Sequence, residues 1–118
     1  MPDTILDTAE RHRLIFERSP TGILVFDSEY RVVDCNDALA AFLRSQRGRV
    51  VGLDLRKIPD QRIRPAIDAA LRGEDGLYQG PYLSVTSGAQ TIAHLRARPL
   101  YDADGQVCGG IAVVEDAT

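Results

Sequence analysis

SPTGILVFDSEYRVVDCND, residues 19–37, is the stretch that decides how this chain folds. Pro20 crowds Ser19 out of helical geometry and so ends whatever helix precedes it. GILVFD (22–27) is an apolar run of strand length, SEYR has turn composition, and RVVDC (31–35) is a second short apolar run. Two such runs on either side of a short polar turn predict a β-hairpin. Asn36 then stands just before Leu39, Phe42 and Leu43. Its side-chain oxygen is suited to cap the first turn of a short helix with an apolar face.

Upstream of this hairpin, residues 4–18 predict an amphipathic helix. Ile5, Ala9, His12 and Phe16 share one face, and Thr4 with Asp7 resembles a start signal. Downstream, residues 44–61 mix Gly, Pro and charge around the anchors Val50, Val51, Leu53, Leu55 and Ile58, which predicts irregular chain with one or two helical turns. Residues 62–72 predict the clearest helix: Ile63, Ala66, Ile67, Ala70 and Leu71 keep helical spacing. Pro65 suits its first turn and Gly73 its end.

Three strands close the chain: LYQGPYLSVT (77–86), QTIAHLRARPL (90–100) and QVCGGIAVVE (106–115), joined by the turns TSGA and YDADG. In the middle one, Ala93, Leu95 and Ala97 alternate with His94, Arg96 and Arg98. The last is apolar on both faces, which predicts a central strand covered on both sides. The sum is an α+β domain, a five-stranded antiparallel sheet flanked by short helices with an amphipathic helix at the N-terminus.

The totals exclude several functions. A chain of 118 residues supports one core. A net charge of −3, from 14 basic and 17 acidic residues, disfavours nucleic-acid binding. Arg44, Arg47 and Arg49, Arg56 with Lys57, and Arg62 with Arg64 read as solvated helix and loop faces. Cys35 and Cys108 have neither disulfide-framework nor metal spacing and read as free thiols of a cytoplasmic protein. No run approaches the ~18 apolar residues of a membrane span, and the acidic N-terminus is unlike a secretory signal. There is no nucleophile elbow, P-loop, paired-histidine motif or Gly-rich dinucleotide turn. His12 and His94 each lack a second ligand nearby, and Asp102 and Asp104 read as turn residues. The expectation is therefore no enzyme and no metal.

The order of these elements resembles a PAS domain. Ser19, Pro20, Gly22, Asp27 and Asn36 stand where that family has Ser-Pro-x-Gly, a strand ending in Asp, and Asn opening a helix. Ala97, Arg98, Pro99, Asp102, Gly105, Gly109, Asp116 and Thr118 resemble its A-R-P, Asp-x-x-Gly turn, small-residue strand and final D-x-T. The resemblance implies a helix over 1–18 for pairing or capping and a sensor domain over 19–118. It also implies that the chain stops at the usual junction to an effector, such as a kinase, cyclase or regulator of a bacterial two-component system. Signal would leave through Asp116 and Thr118. Flavin photosensors carry Gly-x-Asn-Cys before the long helix, but Asp54 and Leu55 stand there here, so covalent flavin is not expected. Haem is not expected either, since residues 60–72 hold no axial His.

By the same resemblance the sheet cups a pocket. Leu24 and Phe26, Tyr82 and Ser84, Ala93, Leu95 and Ala97, and Gly110, Ala112 and Val114 would face it, with Ile63, Ile67 and Leu71 as its roof. This wall suits a small organic ligand of unknown identity, the small residues leaving it room. On the outer face, Ile23, Val25, Ile111 and Val113 would need a cover. The N-terminal helix, through Ile5, Ala9 and Phe16, would supply it from its own chain or from a second copy in a homodimer. Two alternatives stand beside the sensor: a PAS-like pairing or partner-binding domain with a filled core and no ligand, and a small α+β enzyme using His94.

Overall fold

The hairpin forms where the sequence places it. In the structure, a computed structural model that describes residues 8–84 and 87–117, β1 (Gly22–Asp27) pairs antiparallel with β2 (Val32–Cys35). α1 (Thr8–Arg18) precedes them. α2 (Asp37–Phe42), α3 (Arg47–Val50), a 3₁₀ turn (Gln61–Ile63) and α4 (Arg64–Leu71) follow. The chain then closes with β3 (Gly76–Leu83), β4 (Gln90–Tyr101) and β5 (Val107–Asp116). The order across the sheet is β2-β1-β5-β4-β3, and every neighbouring pair is antiparallel. β5, last in sequence, is central in space and joins the hairpin to the meander.

Asn36 holds the front half together. It is fully buried, and its Oδ1 accepts from the Leu39 amide, capping α2, and from the Ile23 amide on β1. Its Nδ2 donates to the carbonyls of Phe16 at the end of α1 and Thr21 ahead of β1. One carboxamide thus satisfies four backbone groups on α1, β1, α2 and the connection between them, which is its whole useful hydrogen-bonding capacity. Beside it, the Arg47 guanidinium lies 3.0 Å from both Glu17 and Asp34, tying α1 to β2 and α3. These are half-exposed pairs and contribute little individually.

α4 crosses the inner face of the sheet and buries Ala66, Ile67, Ala69 and Ala70. It lies so close to β3 that a Cβ on Gly76 would come within 2.2 Å of the Ala66 carbonyl oxygen, so only glycine fits there. Along β4, the buried residues are Ala93, Leu95 and Ala97, as the alternation requires. His94, Arg96 and Arg98 take the other face.

Two expectations are narrowed by the single chain. β5 is central, but only its inner face is covered: Ala112 and Val114 are buried, while Ile111 and Val113 are half-exposed and no described helix packs across them. Nor does α1 cover the sheet of its own chain. It packs against α2, none of its described residues is buried, and Leu14 and Ile15 stand exposed. Ile5, with the start signal at Thr4 and Asp7, lies outside the described residues, as does Thr118.

Replacing Asn36 by Ala removes a helix cap and leaves the Ile23 amide and the Phe16 and Thr21 carbonyls without their partner. The expected loss is about 4 kcal/mol, at roughly 1 kcal/mol for the cap and for each of the three remaining buried bonds. Urea unfolding checks it: the midpoint falls at unchanged slope, and a loss below about 1 kcal/mol would mean water replaces the carboxamide.

Candidate ligand cavity

Between the inner sheet face and the helices lies a partly open cavity of about 50 Å³. The sheet contributes Leu24, Ala93, Leu95, Ala112 and Val114, with Tyr82 on β3 and Ser84 just past its end; Ile63 and Ile67 come from the helical side. These nine residues are all among those the sequence placed in the wall.

Four others placed there by the sequence do not line it: Phe26, Ala97, Gly110 and Leu71. The reason is the register. Phe26 pairs directly with Gly110, and a Cβ on Gly110 would lie 2.3 Å from the tip of the Phe26 ring. Phe26 is 1% exposed and lies across the space that the glycine leaves. At this end of the cup, small residues make room for an aromatic side chain and not for a ligand. Leu71 sits half-buried at the last turn of α4, beyond the cavity.

The sequence reading missed the opposite wall. Val32, Leu39, Phe42, Leu43, Val50, Leu53, Leu55 and Ile58 complete the lining, most of them from α2 and residues 50–58. Their one legible signal was apolar anchors spaced through otherwise polar, irregular chain. That segment is held much as a strand would be. The Val32 amide donates to Leu53, the Gly52 amide to Val32 and the Leu55 amide to Tyr30. Gln61 Nε2 closes its far end by donating to the Leu55 and Ile58 carbonyls.

Charged groups surround the cavity but none enters its wall. Tyr30 donates to Asp68 at 2.5 Å, and its ring lies under the guanidiniums of Arg64 and Arg56, 4.6 and 5.3 Å from the centroid. Arg64 also pairs with Asp68, and Arg56 with Asp54, so both arginines are engaged away from the cavity. Hydrogen bonding to Arg56 holds the Asp54 carboxyl down at about 2. Asp60 is buried and accepts from the Arg62 guanidinium, the Arg62 amide and the Leu83 amide, which fix the start of the 3₁₀ turn against β3. The Arg62 contact above all keeps its carboxyl at about 2. Burial first, and then the charge of Asp60, push the Tyr82 phenol up to about 12, so it stays protonated. Burial likewise raises the Cys35 thiol.

On the outer face, Ile23, Val25, Ile111 and Val113 form adjoining positions on β1 and β5. His94, Arg96, Arg98 and Glu115 border the last two residues. Phe16 is half-buried at the end of α1, Ala9 is exposed, and Asp116 is the last residue of β5. Among the described residues, no cluster of His, Cys, Asp or Glu is placed to hold a metal, and no helix is long and apolar enough to cross a membrane.

Residues 16–118 match the family described as the PAS fold. The chain belongs to that family. Solved PAS structures agree on the fold. The PAS domain of a Colwellia psychrerythraea protein superimposes with a TM-score of 0.80 at 17% identity, covering 95% of this chain and 98% of that one. The PAS domain of a LuxR-family transcriptional regulator from Burkholderia thailandensis, in complex with ethanol, gives 0.68 at 23% identity, covering 90% and 96%. The Vibrio cholerae VqmA dimer gives 0.72 at 18% identity, covering 94% of this chain but 52% of that one, so the matching fold there is part of a longer chain. No curated protein sequence matches the chain. PAS domains are typically sensory and signalling modules, and generally non-enzymatic.

The depressed Asp60 carboxyl sets a pH dependence. Its folded value, about 2 against an ordinary 3.8, contributes stability that is present above the ordinary value and lost as pH falls toward the folded one. At 1.36 kcal/mol per unit, this share is roughly 2 kcal/mol. Urea unfolding at about pH 6 and about pH 3 should show Asp60→Asn less stable at the higher pH and less acid-sensitive than the parent. Parallel acid sensitivity in the two proteins would contradict the assignment.

Proposed function

We propose that this chain is a sensory PAS module that binds a small organic ligand in its cavity and passes the change to an attached effector. The observation that carries this reading is that the exit strand forms part of the cavity wall. Ala112 and Val114 of β5 line it, and Asp116 ends the same strand two residues later. A ligand pressing on those side chains bears on the strand whose alternate residues, Ile111 and Val113, form the outer face. It thereby biases both the outer surface and the exit toward Thr118 between two arrangements. On this reading residues 1–18 serve pairing, residues 19–118 sense, and the protein works in the cytoplasm joined to a kinase, cyclase or regulator.

Covalent flavin is disfavoured because Leu55, buried in the cavity wall, stands where photosensors carry cysteine. Haem is disfavoured because α4 offers no histidine. His94 lies on the outer face across from Glu115, away from the cavity and beside Arg96 and Arg98, and this surface arrangement does not favour the enzyme reading. A second reading, a pairing domain with an effectively filled core, is favoured by the small volume of the cavity.

Thermal unfolding against a library of small metabolites separates these two. A ligand at about 100 times its Kd adds about 2.7 kcal/mol, or roughly 10 °C. The shift is expected to vanish in Ala93→Val and Leu43→Phe, which narrow the cavity. If no compound shifts the parent and both variants are less stable than it, the core is simply filled.

The open outer face and the exposed Leu14 and Ile15 of α1 support a homodimer in which each α1 covers the sheet of the other copy. Sedimentation checks it: the parent runs as a dimer and Val25→Glu or Ile111→Glu as a monomer. An unchanged dimer in both variants would place the interface elsewhere.

A further inference from the structure

We infer that the cavity takes a neutral, largely apolar molecule of about four non-hydrogen atoms, such as a short-chain alcohol or ketone, and rejects anions and cations of the same size. This deepens the ligand-binding reading above and rests on it. Size is the first constraint. A cavity of about 50 Å³ holds roughly three to five water-sized spheres at about 10–15 Å³ each. Flavins, haem and nucleotides do not fit such a space.

Chemistry is the second. Every lining residue is hydrocarbon-sided except Tyr82 and Ser84, and no lining residue carries a charge. An ion entering such a wall loses its water and gains no counter-charge, which costs far more than a few contacts return. The charges nearby do not relieve this. Arg56 and Arg64 are held by Asp54, Asp68 and the Tyr30 ring, and Asp60 is held by Arg62 and the Leu83 amide. Protonated Tyr82 offers a hydroxyl without adding charge.

Affinity follows from size. The best small ligands gain a bounded free energy per atom, so about four atoms give a Kd on the order of tens of micromolar at best. The module would therefore respond to an abundant molecule, with fast exchange.

The test is a ¹⁵N–¹H NMR titration of the full chain with 2-propanol, acetone, acetate and isopropylammonium, which are matched in heavy-atom number. Cyclohexanol is added as a larger neutral. The inference expects saturable shifts of the Leu55, Ile67, Ala93 and Ala112 amides with 2-propanol or acetone, at least about tenfold tighter than with either ion or with cyclohexanol. Leu43→Phe or Ala93→Val, with dispersed spectra showing that they fold, should weaken those shifts by about tenfold or more. Acetate or isopropylammonium saturating the same amides as tightly overturns the class and leaves a ligand-binding cavity. Tighter binding of cyclohexanol overturns the size limit and likewise leaves the cavity. If no probe moves these amides, the inference and the ligand-binding reading fail together.

Discussion

The four hydrogen bonds of the Asn36 side chain are the constraint from which the front of this protein is built. A buried carboxamide is costly unless every donor and acceptor finds a partner, and here each partner is a backbone group that would otherwise be orphaned. The acceptor oxygen fixes α2 relative to β1, and the donor nitrogen fixes the turn out of α1 relative to both. Leu39, Phe42 and Leu43 on α2 and Leu24 on β1 line the cavity, so the same side chain sets how far apart these walls stand. The hollow and the fully buried Asn36 carboxamide are parts of one arrangement.

The cup is divided by packing. At one end, the pairing of Phe26 with Gly110 fills the inner face with an aromatic ring. At the other, Ala93 and Ala112 face aliphatic side chains from an irregular segment, and space remains. Close-packed interiors seldom leave voids, because lining atoms lose contacts across them. The segment across the void is pinned through its backbone to β2 and through Gln61 to the 3₁₀ turn, so it cannot simply collapse inward. The Tyr30 ring, stacked against Arg56 and Arg64 and bonded to Asp68, fastens the same segment to α4. Polar clasps outside thus keep an apolar space open inside.

Much of this was legible in the sequence wherever a period governed it. The two-residue alternation in β4 put Ala93, Leu95 and Ala97 on one face, and helical spacing put Ile63 and Ile67 on one face; the PAS resemblance implied that these faces turn inward. Asn36 announced itself as a cap through its position before an apolar helix. Its bonds to Ile23, Phe16 and Thr21 were not legible, because they depend on contacts between residues far apart in sequence. Residues 50–58 have no period, so their place in the cavity wall could not be read, although their apolar anchors were visible. Nor could sequence tell that Gly110 makes room for Phe26, since that follows from the strand register. β5 looked covered on both sides because its two faces are equally apolar, yet composition does not say whether the cover comes from this chain.

The central claim is that an open apolar space exists beside the exit strand, and a crystal structure under xenon pressure tests it most directly. Xenon enters apolar cavities without needing hydrogen bonds. The account predicts a strong xenon peak among Leu55, Ile67, Ala93 and Ala112, with the surrounding side chains unmoved. Diffraction to comparable quality with no peak there, and with the side chains closed over the space, would show the core to be filled and would contradict it.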